Sequence, residues 1–134
     1  MLIKQVNNKP VKRENRVVGK QGENITARFL SRKGYRIIGR NIKTYIGEID
    51  IVARKKSSIV FCEVKTRKGK VFCPPYFSVT KKKRRKLVQC ALCYLKMKNM
   101  PDINWQIDVV SIEIDDFTGY VKKIEHFEDA VEEQ

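Results

Sequence analysis

Apolar residues along the chain fall into two kinds of pattern, one recurring every third or fourth residue and one alternating or continuous over short runs. Residues 1–18 show neither and are mixed polar and basic, so they are read as a flexible basic tail. From about Gly19 to Lys33, Glu23, Ala27 and Leu30 fall at i, i+4 and i+7, which predicts a helix capped by Gly34. Tyr35–Arg40, Gly47–Ala53 and Ile59–Thr66 read as three strands, the last two joined by the polar turn Arg54–Ser58. Gly69, Pro74 and Pro75 mark a loop over 67–79. Thr80 fits the N-cap of a second helix reaching Lys98, with an apolar stripe of Leu87 or Val88, Ala91, and Tyr94 or Leu95. Trp105–Ile114 and Tyr120–Phe127 read as two further strands about the turn Asp115–Gly119, and an acidic tail with room for a short helix follows from Glu128. No internal repeat is visible. The order αβββαββ predicts an α/β domain over 19–127, a mixed sheet flanked by helices, between the basic tail and an acidic tail at 128–134.

Length and composition fit that picture: 134 residues, 42% hydrophobic, suffice for one packed core. No apolar run approaches the roughly 18 residues that cross a bilayer, and the N-terminus lacks a signal-peptide core, so the cytoplasm is the expected compartment. The cysteines suit it. Cys62 lies in an apolar run, and Cys90 with Cys93 forms a lone half-site without a second Cys/His pair, so no structural zinc is expected. His126 is the only histidine, which leaves Ser–His–Asp chemistry little to work with.

Charge changes the picture most. The formal net charge is +14, and residues 1–100 hold 27 Lys/Arg against 5 Asp/Glu, whereas residues 101–134 hold 2 against 10. A field this positive over most of one small domain gathers polyanions. Acidic membranes fit less well, because no long basic amphipathic helix with an aromatic and leucine face is present. Nucleic acid is the expected partner, met through its backbone phosphates, and the protein is expected to be a monomer or homodimer. Lys81, Lys82, Lys83, Arg84, Arg85 and Lys86 open the second helix, where the dipole already carries positive charge. Six cations set against that dipole suit phosphate binding, although a charge run is also an ordinary solvated face.

The 5 acidic residues of that basic stretch are Glu14, Glu23, Glu48, Asp50 and Glu63. Glu48, Asp50 and Glu63 stand in apolar strands and Glu23 on the helix's apolar face, where a carboxylate is costly unless paired or bound to metal. Pairing the second and third strands about Lys55–Ser57 places Asp50 opposite or beside Glu63, with Lys65 two residues along on the same face. Two carboxylates so placed can share an ion. Hard oxygen ligands without histidine or thiolate indicate Mg²⁺ or Mn²⁺, and Lys65 is placed to orient a water or offset developing charge. The same spacing also fits a structural ion pair.

Asp50 followed thirteen residues later by Glu63-Val64-Lys65 resembles the PD-(D/E)XK signature of nucleases with the restriction-endonuclease-like fold. More closely the chain resembles the YraN-like family of small proteins. The matching stretches are Gly22-Glu23, Gly34–Ile37, Arg40-Asn41, Gly47–Ala53, Val60–Arg67, Val79-Thr80 with Lys83, and Ile107–Val110. The family is described as predicted endonucleases related in fold to archaeal Holliday-junction resolvases. The resemblance implies that Glu23, Asp50 and Glu63 are metal ligands and Lys65 the catalytic lysine, with Glu48 an accessory carboxylate. Arg67 joins the basic helix start among the expected nucleic-acid contacts. Cys73 and Gln106 depart from the family's usual glycine and arginine. The function so implied is metal-dependent hydrolysis of DNA phosphodiesters, with selectivity for junction or flap structures as one form. The alternative is a non-catalytic nucleic-acid-binding module, with RNA or the ribosome as its target.

Overall fold

The protein is described by a computed structural model covering residues 8–69 and 80–131. Its elements run α1 (Asn8–Arg32), β1 (Arg36–Lys43), β2 (Glu48–Lys55), β3 (Ser58–Lys68), α2 (Lys81–Met97), β4 (Trp105–Ile114) and β5 (Val121–Phe127). The sheet order is β1-β2-β3-β4-β5, antiparallel except for the parallel β3–β4 pair, with α2 as the crossover. This is the mixed αβββαββ arrangement of a restriction-endonuclease-like fold.

Alternation along the strands divides the core between two faces. Ile59, Phe61 and Ile107 pack with Val88, Ala91, Tyr94 and Leu95 of α2. Val60, Cys62, Val110 and Ile112 pack instead with Leu30 and Phe29 of α1. Two differences from the sequence reading stand out. The first helix starts at Asn8, not near Gly19, so 8–18 is helix, not tail. Pro10 is tolerated there because the amides of a helix's first turn have no helical partner to lose. The end of the chain is also more integrated than a tail: Ala130 N–H donates to Ile107 O at 2.8 Å, and Val131 is buried against the α2-side core. Turn geometry at Glu128 and Asp129, where Asp129 has φ 48°, stands where a short helix had room. Cys73 and most of the 67–79 loop lie outside the described residues. Among those described, no helix is long and apolar enough to cross a membrane.

Candidate active site

The β2–β3 ladder runs from Lys55↔Ser58 to Ile51↔Cys62 and ends there. Asp50 and Glu63 are the next residues beyond its last pair. β3 continues to Lys68 on β4 alone, so its β2 side opens at Glu63. The Val64 N–H on that open side donates to Asp50 Oδ2 at 2.9 Å, so one carboxylate oxygen replaces a missing ladder partner. The parting of the two strands thus leaves a notch between them, with Asp50 and Glu63 at its edge.

Cations close over this notch. Lys65 Nζ lies 3.5 Å from Glu63 Oε1, and Lys83 Nζ, from the first turn of α2, lies 3.9 Å from the same oxygen. Both the Glu63 and Lys65 side chains are largely shielded, at 12% and 15% exposure. Burial lifts the Glu63 carboxyl above its ordinary range and the Asp50 charge lifts it further, while Lys65 and Lys83 pull it back. Asp50 is raised by burial too, against the Val64 N–H and the two lysines. Burial and the neighbouring Lys83 ammonium both lower Lys65. Burial thus raises both carboxyls while the two lysines oppose it, and hard oxygen donors of this type suit a divalent cation.

Glu23 reaches the same region from α1. Its carboxyl is raised by burial and then by the Asp50 charge, and is held by a hydrogen bond from Asn41 and by Arg40. Arg40 Nη2 stands 3.9 Å from Glu23 Oε1 and donates to Asn24 Oδ1 at 2.6 Å. Asn41 has φ 50°, a left-handed conformation inside a strand, and its register places it opposite Asp50. Close approach of α1 to β3 makes this reach possible: a Cβ on Gly22 would stand 1.8 Å from Thr66 Oγ1. Glu48 is exposed at the start of β2, and its charge raises both Asp50 and Glu23. The oxygens of Glu23, Asp50 and Glu63 do not all close to within 4.8 Å of one another.

The basic helix start divides between two roles. Thr80 caps α2, its Oγ1 accepting from Lys83 N–H at 3.2 Å. Lys81, Lys82, Arg84 and Arg85 face solvent, while Lys83 turns onto Glu63. The Lys86 stem lies across Gly47, where an added Cβ would stand 2.9 Å from Lys86 Cε. Arg67 lies part-buried two residues beyond Lys65 on β3.

A second polar cluster, absent from the sequence reading, lies on the α1 side. Asp108 is fully buried on β4, paired in register with Cys62. Asp108 Oδ2 meets His126 Nε2 at 2.7 Å, and Asp108 Oδ1 accepts from Gln106 at 2.8 Å and from Asp129 N–H at 2.9 Å. Tyr35 donates to Glu128 Oε1 at 2.7 Å, Lys55 approaches the same oxygen at 3.3 Å, and Lys33 Nζ faces His126 Nδ1 at 2.6 Å. Asp108, His126 and Glu128 form a group that could hold a metal ion. Glu128 Oε1 already accepts from Tyr35 and Asp108 Oδ2 already faces His126 Nε2, so a cation there would compete with these contacts. The signal was present in the sequence: Asp108 interrupts the apolar run Ile107–Val110 as Asp50 interrupts Ile49–Val52.

Comparison with known proteins places the chain among close relatives. Residues 22–112, from Gly22 beside Glu23 to the β4 core, match the model of the uncharacterised protein family UPF0102. A UPF0102 protein of Geobacter sulfurreducens is 41% identical over 118 residues, 88% of this chain and 91% of that one. One from Syntrophomonas wolfei is 42% identical over 112 residues, 82% and 96% of the two chains. One from Caldanaerobacter subterraneus is 36% identical over 124 residues, 92% and 96%. Their names carry the family and no activity.

Proposed function

The chain belongs to the uncharacterised protein family UPF0102, and from that premise we propose that it is a metal-dependent DNA endonuclease. The observation that carries the reading is the opened ladder, with Asp50 and Glu63 at its edge and Lys65 and Lys83 on Glu63. Asp50 and Glu63 would hold Mg²⁺ or Mn²⁺, with Glu23 contributing from α1 and Glu48 adding negative charge at the rim. A divalent cation, when bound, neutralises phosphate charge and makes water a stronger nucleophile. Lys65, shielded and two residues from Glu63, offers its ammonium to the charge that develops on the phosphoryl oxygens. Lys83 adds a second positive charge from the helix side. Lys81, Lys82, Arg84, Arg85, Lys86 and Arg67 supply phosphate contacts that position a strand without reading its bases.

One observation favours a second reading, a binding module without catalysis: Glu63 is already paired with two lysines. Incubating duplex, single-stranded, flap and four-way-junction DNA with the protein in Mg²⁺ or Mn²⁺ separates the two. Cleavage that chelation stops and Asp50→Asn abolishes supports the nuclease. Binding without cleavage of any of these substrates, in either metal, rejects it.

A further inference from the structure

Beside the notch lies a groove of about 630 Å³ between the β1–β2 turn and the outer face of α2. Tyr45, Ile46, Leu92 and Met97 line it with Gln89 and Lys96. Tyr45 is 92% exposed, and Ile46, Leu92 and Met97 are each more than two-fifths exposed. Solvent normally drives such side chains under cover, and a contiguous apolar floor of this kind marks a contact surface. The turn that carries Tyr45 is well braced. Thr44 Oγ1 accepts from Ile46 N–H at 3.2 Å and Gly47 N–H at 3.0 Å, and Thr44 N–H donates to Gly47 O at 2.8 Å. The backbone that carries the aromatic ring is therefore fixed by the turn.

Charge identifies the occupant. No acidic residue occurs anywhere in α2, whose 17 residues begin with six cations and continue to Lys96. The nearest acid on the turn side is Glu48, at the notch end. Lys86 crosses Gly47, which stands in the chain between Ile46 of the groove and Glu48 at the start of β2. An aromatic and aliphatic floor with Lys96 in its lining, on a helix that begins with six cations and carries no acid, matches single-stranded nucleic acid, its bases on the floor and its phosphates on the lysines. We infer that the Tyr45–Leu92–Met97 groove binds unpaired nucleobases of a strand entering the notch, with Tyr45 stacking on one of them. This deepens the nuclease reading and rests on it for the substrate's chemistry. It directs the site toward DNA with an unpaired segment in preference to continuous duplex, whose bases are already stacked.

The experiment measures binding by the full-length protein in EDTA, so that cleavage plays no part. The probes are a short fluorescent oligothymidylate and an abasic oligomer of equal length. Wild type should bind the base-bearing oligomer more tightly. Tyr45→Ala should weaken that binding by about five- to 100-fold and remove the difference between the probes. Tyr45→Phe should retain it, and Leu92→Ser should lose part of it. The salt slope should stay unchanged in Tyr45→Ala, because every phosphate-binding cation is still in place. Equal affinity of wild type and Tyr45→Ala for oligothymidylate overturns the inference. So does self-association of the free protein that Tyr45→Ala abolishes, since the groove would then be an interface between copies. If Tyr45-dependent binding appears while no DNA is cut in Mn²⁺, the nuclease reading fails and the groove stands.

Discussion

Replacing Gly22 with alanine tests the close approach that brings Glu23 to the notch. In the middle of a helix the exchange favours folding by about 1 kcal/mol. Here the added methyl would stand 1.8 Å from Thr66 Oγ1, 2.9 Å from Thr66 Cβ and 3.1 Å from Thr66 Cγ2. Rotating the threonine trades one branch for another and leaves Cβ in place, so α1 has to draw back from β3. Overpacking of this kind costs about 1–3 kcal/mol, which leaves a net loss of up to about 2 kcal/mol after the helix preference is credited. For a domain of this size that lowers Tm by up to about 8 °C. Thr66→Ala removes both branches, including a hydroxyl buried without a partner. Losing the methyl and losing the unsatisfied hydroxyl oppose one another, so this variant should lie within about 1 kcal/mol of wild type. In Gly22→Ala/Thr66→Ala only the Cβ contact survives, and most of the helix preference returns. Urea melts of the four proteins should therefore show a favourable coupling of at least about 1 kcal/mol. The rise in Tm on adding Mn²⁺ should shrink in Gly22→Ala and recover in the double variant, because Glu23 is the adjacent residue. A Gly22→Ala protein more stable than wild type, uncoupled from Thr66, refutes the reasoning.

Asp50 and Glu63 are both raised in the fold, so the folded state holds their protons more tightly than the unfolded chain does. Their contribution is present at low pH and lost as pH rises through the folded values. Without metal, Asp50→Asn and Glu63→Gln should melt at or above wild type near neutral pH and approach it toward about pH 4, the ordinary carboxylate range. Mn²⁺ should raise the Tm of wild type and of Lys65→Ala but of neither carboxylate variant, and Lys65→Ala should lose turnover by about 100-fold or more. Marked destabilisation of the metal-free carboxylate variants, with no metal effect on wild type, would show a structural ion pair instead. Asp108→Asn places an amide against donors and should cost about 1–3 kcal/mol in a denaturant melt, and Zn²⁺ should leave wild-type Tm unchanged. A zinc-induced rise would show that the Asp108–His126–Glu128 group takes a metal. Reversing Lys82, Arg84 and Arg85 to Glu should weaken DNA binding irrespective of sequence and flatten log K against log salt by about 0.9 for every phosphate no longer neutralised. An unchanged slope would place the phosphate contacts elsewhere.

Periodicity carries most of the architecture. β4 is where alternation and apolar content place it, and the ends of α2 agree to a residue because Thr80 is an N-cap whose hydroxyl can be read directly. The first turns of α1 are not legible, since Asn8–Val18 has no apolar stripe and helix propensity alone is a weak guide. Hairpin pairing brings Asp50 and Glu63 together on paper, because register follows from a short turn. Lys83 reads as a phosphate contact in the sequence, and its turn onto Glu63 depends on how α2 docks across the sheet, which no local pattern encodes. The grip of Arg40 and Asn41 on Glu23 is hidden for the same reason. Asp108 is legible in type but not in role, because its partners Tyr35, Gln106 and His126 come from three separate strands or strand ends.

The parallel β3–β4 pair has a kinetic consequence. β1, β2 and β3 are joined by short turns and can form as soon as that stretch leaves the ribosome, whereas β4 arrives only after α2. Until then β3, the future centre of the sheet, is an unprotected edge carrying Ile59, Val60, Phe61 and Cys62. Such an edge invites pairing with another nascent chain. Lys65, Arg67 and Lys68 follow directly on the same strand, and their like charges keep two copies from aligning there. Arg67, proposed to meet DNA phosphates in the finished protein, thus belongs to a charged stretch that also disfavours edge pairing of the half-built sheet.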